Sequence, residues 1–242
     1  MIRGCVMEIV RFDLVGFSWQ DMLAAAMKKE RRKKVSDDML MAAQRAYEEG
    51  ALVLEMQSVF EIYEKKSCRE YVELSLPVCG TEWIYIGPKA SYLAPAEEIA
   101  VLLCTVGKPL TDLIHEYAKS EDYLMMYYLD VFGVQVLGEI SSKMRSRVKS
   151  LALERGWGVG PSMQPGTVEG WSVNGQRDLY RLGHGEKIGL TLNDASFLIP
   201  HISNSSIIGM GPHYLESEVD SMCHECPRRN KCLWRRENVE ES

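Results

Sequence analysis

Between Gly156 and Gly170 the chain places five glycines (Gly156, Gly158, Gly160, Gly166 and Gly170) and two prolines, Pro161 and Pro165. That density excludes a helix interior, because proline removes an amide donor and glycine carries the largest backbone entropy cost. The stretch Trp157-Gly158-Val159-Gly160-Pro161-Ser162-Met163-Gln164-Pro165-Gly166 is therefore expected to be an ordered, irregular loop. Glycine lets a backbone approach a ligand closely, and proline keeps such a loop in shape with little entropic loss on binding. A loop of this length is either a functional lip or a long surface connection.

The segments around it set the architecture. Val6 to Phe12 reads as an opening strand. Ser18 and Asp21 form a capped helix start, followed by Trp19, Leu23, Ala26 and Met27 at helical spacing. Ser36-Asp37-Asp38 begins a second helix, with Leu40, Ala43, Ala46 and Tyr47 on one face and Gly50 as its stop. Residues 51 to 66 read equally as helix or strand. Tyr71 to Leu76 alternates with period two, and Trp83 to Ile86 follows a turn, as expected for antiparallel strands. Pro109 opens a helix that runs to Lys119. Ser120 is read as the cap of a long helix from Glu121 to Leu153. After the loop, a helix from Val173 to Leu182 ends at Gly183. Ile188 to Leu192 and Ser205 to Met210 are expected as antiparallel neighbours in the sheet.

Composition narrows the function classes. With 28 Lys and Arg against 34 Asp and Glu, the 242-residue chain carries a net charge of −6. A nucleic-acid partner needs a clustered positive field, so none is expected. The basic run Lys28-Lys29-Glu30-Arg31-Arg32-Lys33-Lys34 reads as a solvated helix face and its exit. No apolar run reaches the roughly 18 residues that span a bilayer. Arg3, Glu8 and Arg11 interrupt the apolar N-terminus, which makes a poor signal peptide, so no membrane partner and a cytoplasmic location are expected. There is no Gly-x-Ser-x-Gly, P-loop, His-Glu-x-x-His or dinucleotide-binding fingerprint. His115, His184, His201 and His213 stand isolated and read as structural or exposed.

Seven cysteines in a leaderless chain do not suggest a disulfide framework. Cys5, Cys68, Cys79 and Cys104 are scattered and read as buried thiols. Cys223, Cys226 and Cys232 are different: three thiols within ten residues, two at CxxC spacing, suit one metal centre. Zinc would take a fourth ligand, either His224 or a distant cysteine. A four-iron cluster is also held by four thiolates, and Pro227 beside Cys226 suits that alternative. Arg228, Arg229, Lys231, Arg235 and Arg236 would offset the thiolate charge.

The order Pro-Ser-Met-Gln-Pro-Gly (161–166), Gly170-Trp171, Gln176-x-x-Leu179-Tyr180, Glu186 to Leu192, then a Ser-rich strand ending Ile208-Gly209-Met210, resembles the activation domain of cobalamin-dependent methionine synthase. It is closer to stand-alone relatives that occur beside corrinoid methyltransferases, many of which end in a similar cysteine tail. Glu97 to Gly107 and Leu129 to Gly133 also match family elements in part. The resemblance implies an α+β fold, a twisted antiparallel sheet flanked by helices. It divides the chain into an activation-domain-like unit, residues 1–210, and a Cys-rich tail, residues 211–242. It further implies binding of S-adenosylmethionine (AdoMet) by Ser162, Gln164, Pro165, Gly166 and Thr167, with Asp130 and Glu139 as the nearby carboxylates. A spacing of nine does not place those two on one helix face, so at most one meets the ligand. Where the family pattern is Arg-x-x-x-Gly-Tyr, Ser162 and Thr167 stand at the outer positions, so the guanidinium and the ring are both missing. The implied partner is a corrinoid (cobalamin-binding) protein or methyltransferase, and the implied role is corrinoid reactivation by methylation. The alternative is a non-enzymatic module that binds a corrinoid protein and keeps only a structural metal.

Overall fold

The computed structural model describes residues 7–12, 16–30, 34–76, 80–214 and 222. The cysteine cluster at 223–232 lies outside these. β1 (Met7–Arg11) is followed by helices α1 (Trp19–Glu30) and α2 (Asp37–Leu52). Three strands come next: β2 (Gln57–Cys68), β3 (Tyr71–Ser75) and β4 (Thr81–Tyr85). β5 (Glu98–Thr105) precedes helices α3 (Lys108–Lys119) and α4 (Tyr123–Leu153). β6 (Gly158–Met163), α5 (Gln176–Leu182), β7 (Thr191–Leu192), β8 (Leu198–Ile199) and β9 (Ser203–Gly211) complete the order. This is the expected α+β class: a seven-stranded antiparallel sheet ordered β4-β3-β2-β5-β9-β6, with β1 also paired to β2.

Alternation along the central strands divides the interior in two. Ala100, Leu102 and Cys104 of β5 meet Phe60 and Ile62 of β2 and Ile208 and Met210 of β9 in the core beneath α1 to α4. Ile99 and Val101 point the other way, into a core with Trp171, Leu179 and Leu182; Leu103 joins Ile188, Leu190 and Leu198. A sheet covered on both faces explains why β5 is buried at every position and reads as a continuous apolar run.

Several expectations change. Gly50 does not stop α2, which runs two residues further. A Cβ at Gly50 would lie 2.7 Å from the Phe132 ring, so this glycine serves the close approach of α2 to α4. Ser120 ends α3 instead of starting α4: its amide bonds back to Glu116 O, and Glu121 turns through φ 61°. Asp122 is the cap, accepting from the Met125 amide at 3.1 Å. The run 188–192 is mostly not strand, because Ile188 closes a 3-10 turn and Gly189 is left-handed at φ 73°. Only Thr191 and Leu192 extend, pairing with β8 in a separate two-stranded sheet, so this run is no neighbour of β9. The stretch 51–66, open between helix and strand in sequence, ends α2 at Leu52 and then enters β2 at Gln57. Gly211 belongs to β9, and Tyr214 and Met222 are buried in the second core.

Candidate functional site

The glycine- and proline-rich stretch is half strand. Gly158 to Met163 forms β6, the last strand of the sheet, where a proline costs no ladder bond on the open side. Gly160 and Pro161 fall where the register shifts between Val159↔Met210 and Ser162↔Ile208, so a bulge absorbs both. A Cβ at Gly160 would lie 2.7 Å from the Tyr214 ring, and the Gly160 carbonyl accepts from Arg145 Nη1 at 3.0 Å. This is why a stretch expected to be wholly irregular pairs instead.

Beyond Met163 the chain leaves the sheet in a turn that bonds to itself. The Thr167 amide and hydroxyl both donate to Gln164 O, at 3.2 and 2.9 Å. The Gly166 amide, at φ 77°, donates to Trp171 O at 2.8 Å. Pro165, Val168 and Trp171 face inward while Gly166 and Glu169 are exposed. The turn is thus anchored by apolar side chains and presents backbone outward.

Its departure leaves β9 half covered. β9 pairs with β5 from Ser203↔Thr105 to Met210↔Glu98, but its pairing with β6 ends at Ile207↔Met163. From Ser203 to Ser206 the outer edge of β9 has no strand beside it among the described residues. All four side chains there are Ser or Asn. Asn204 Nδ2 donates to Ser141 Oγ on α4 at 2.8 Å, and Ser205 Oγ donates to Gln176 Oε1 on α5 at 2.5 Å. A polar strand edge between two helices, with a glycine turn at its end, can offer backbone amides and carbonyls to a small polar ligand.

One stripe of α4 flanks this edge. At about 100° per residue, Asp130, Val134, Leu137, Gly138, Ser141 and Arg145 fall within an arc of roughly 100°, and all six are half-buried. A Cβ added at Gly138 would meet nothing within 4 Å. Asp130 Oδ1 lies 3.6 Å from His201 Nε2, and the His201 ring lies 5.9 Å from that of His115. Glu139 sits about half a turn away from Asp130 around the helix. It accepts the Gly16 amide at 3.3 Å and pairs with Lys143 at 3.1 Å. Of the residues picked from sequence, Ser162, Gln164, Pro165, Gly166 and Thr167 come together at the end of β6. Asp130 lies on the α4 stripe that reaches this region, and Glu139 does not. Sequence reading missed Asn204, Ser141 and Gly138, because short polar residues and one helix glycine carry no motif; the Ser-Asn-Ser-Ser run at the start of β9 was the available signal.

Cys104 lies below the site with its thiol pushed up to about 12 by burial, against weaker opposing bonds from Ser141 and Ser58. It is an inert core thiol. Among the described residues no group of three His, Cys, Asp or Glu side chains is arranged to hold a metal, and no helix is long and apolar enough to cross a membrane.

No protein-family model matches the chain, and no curated protein matches it. Among solved structures, the crystal structure of the MetH reactivation domain bound to AdoHcy matches over 87% of this chain and 80% of that one. The TM-score is 0.55 and the sequence identity 13%. The chain therefore has the fold of the MetH reactivation domain, in agreement with the architecture that its sequence pattern implies.

Proposed function

We propose that this protein binds AdoMet along the open edge of β9 and docks on a corrinoid-binding partner, where it assists reactivation of the cobalamin by reductive methylation. The observation that carries this reading is the shared fold: the MetH reactivation domain of the same architecture was solved with AdoHcy. The local chemistry fits. The strand edge at Ser203–Ser206 offers backbone donors and acceptors, and the turn at Gln164–Thr167 offers backbone carbonyls, to the amino-acid and adenosine ends of such a ligand. Asp130 supplies a negative charge on the flanking helix, which favours a sulfonium or an ammonium group. When bound, AdoMet supplies an electrophilic methyl group; the chain's part is to hold it and to exclude alternatives by position.

Calorimetry with AdoMet and AdoHcy tests this, with Gly138→Leu as the variant. A Cβ at that position meets open space, and leucine is a better helix former than glycine by about 0.8 kcal/mol, so an unchanged circular dichroism spectrum is expected of the variant. The expected result is saturable one-to-one binding by the native chain, weakened at least tenfold in Gly138→Leu. Absence of binding to both ligands by the native chain overturns the reading.

One observation favours the second reading, a corrinoid-protein scaffold without AdoMet. Ser162 and Thr167 replace the family's Arg and Tyr, and the Thr167 hydroxyl is used within its own turn. A chain that binds a corrinoid protein but gives no heat with AdoMet would select it.

A further inference from the structure

β4 is an end strand of the sheet, and no strand lies beside its outer edge among the described residues. We infer that this edge is the surface on which a second copy of the chain docks, joining the two sheets antiparallel about a two-fold axis at Trp83. The main chain fixes which groups are available. The Ile86 amide donates to Glu70 O and the Leu76 amide to Gly80 O, so the even-numbered residues from 80 to 86 bond towards β3. Alternation then turns the amides and carbonyls of Thr81, Trp83 and Tyr85 to the open side. These three pair fully with their own copy in one register: Trp83 opposite Trp83 of the second copy, and Thr81 opposite Tyr85 at both ends. That register makes about six main-chain hydrogen bonds, two for each facing pair, and a slip of two residues loses one pair.

The side chains suit the same register. Val72, Leu74, Ile84 and Ile86 face the second core, while Tyr71, Trp83 and Tyr85 on the opposite face are 50%, 52% and 38% exposed. The Tyr71 and Tyr85 rings already pack edge to face at 5.0 Å. Across the two-fold axis the small Thr81 meets the large Tyr85 and the two indoles adjoin, which extends one aromatic row over both copies. Glu82 is the one charged residue of β4, and Arg181 holds it by two bonds, at 3.0 and 2.6 Å. The register sets Glu82 opposite Ile84 of the second copy, so no like charges face each other. Other strand edges are guarded where β4 is not. β6 carries Pro161 and a bulge, and β1 has Glu8 and Arg11 among its five residues. β4 has neither device, and it pairs with β3 without a break from Tyr71↔Tyr85 to Ser75↔Thr81. A contact of β4 with β4 is isologous and closes at two copies. With five residues from each chain it falls below about 1,200 Å², the size of a reversible association.

The test is sedimentation equilibrium of the full chain under reducing conditions, which keep its thiols from cross-linking. The native chain is expected to rise with concentration to twice its own mass. Trp83→Lys and Trp83→Glu each set like charges across the axis, so each should weaken self-association at least tenfold while keeping the native circular dichroism. An equimolar mixture of the two should dimerise again, because only a self-pairing centred on residue 83 brings Lys opposite Glu. Hydrogen exchange of the native chain needs no variant: the amides of Thr81, Trp83 and Tyr85 should gain protection as concentration rises. A native chain that stays monomeric, even one that takes a strand from another protein, overturns the assignment. So does a dimer that both variants leave intact, a mixture that stays monomeric, or a dimer that leaves these three amides unprotected. Neither variant touches β9, so titrating the same preparations with AdoMet judges the proposed function separately.

Discussion

Trp171 shows how single residues fix the turn beside the site. Its indole is buried, and Gly175 lies so close that a Cβ there would sit 2.2 Å from Nε1. Gly175→Ala should therefore cost about 1–3 kcal/mol, as overpacking does, read as a lower urea midpoint with unchanged slope. Cys104 makes a pH-dependent prediction. Its thiol titrates near 9.0 when unfolded and is pushed up to about 12 when folded. The unfolded chain then loses this proton first, so its contribution to stability is complete below pH 9 and lost as pH rises towards 12. Tyr214, also raised by burial, acts in the same direction from pH 10 upward. Denaturation midpoints measured from pH 8 to 11 should fall with pH, and Cys104→Ala should flatten the slope; a midpoint independent of pH would contradict the burial of both groups. At this scale the residues chosen from sequence at 162 and 164–167 fall together at the end of β6, while Glu139 lies on the other side of α4 from Asp130. A carboxylate nine positions from Asp130 points away from it, and only packing reveals that the Gly16 amide receives it.

At the scale of elements, most helices and strands were legible because their periodicity and caps agree with their tertiary neighbours. The failures have local causes. Gly50 reads as a stop when only the sequence is considered, yet it faces Phe132 and is kept for close packing. Gly160 and Pro161 read as a loop because nothing local announces an edge strand with a bulge. Ser120 and Asp122 are both good caps two residues apart, and the positive φ at Glu121 decides between them. Asp122→Ala should accordingly destabilise the protein by about 1 kcal/mol, the usual worth of a helix cap, whereas Ser120→Ala should cost less. Equal losses in thermal or urea denaturation would contradict the assignment of the α4 start.

Over the whole molecule, a sheet buried on both faces puts the site at a place that neither face alone defines. The long helix α4 lies against one face and α5 against the other, and β9 runs between them with no strand, among the described residues, beside its first four residues on one side. That arrangement depends on where β6 stops pairing, a long-range register that no local sequence pattern encodes. Hydrogen exchange of the full chain with and without saturating AdoHcy tests it most directly. Added protection is expected in the amides of Ser203–Ser206 and of Gln164, Gly166 and Thr167, with little change in the hairpin of β3 and β4. Bound ligand that protects other segments and leaves both of these unchanged would contradict it.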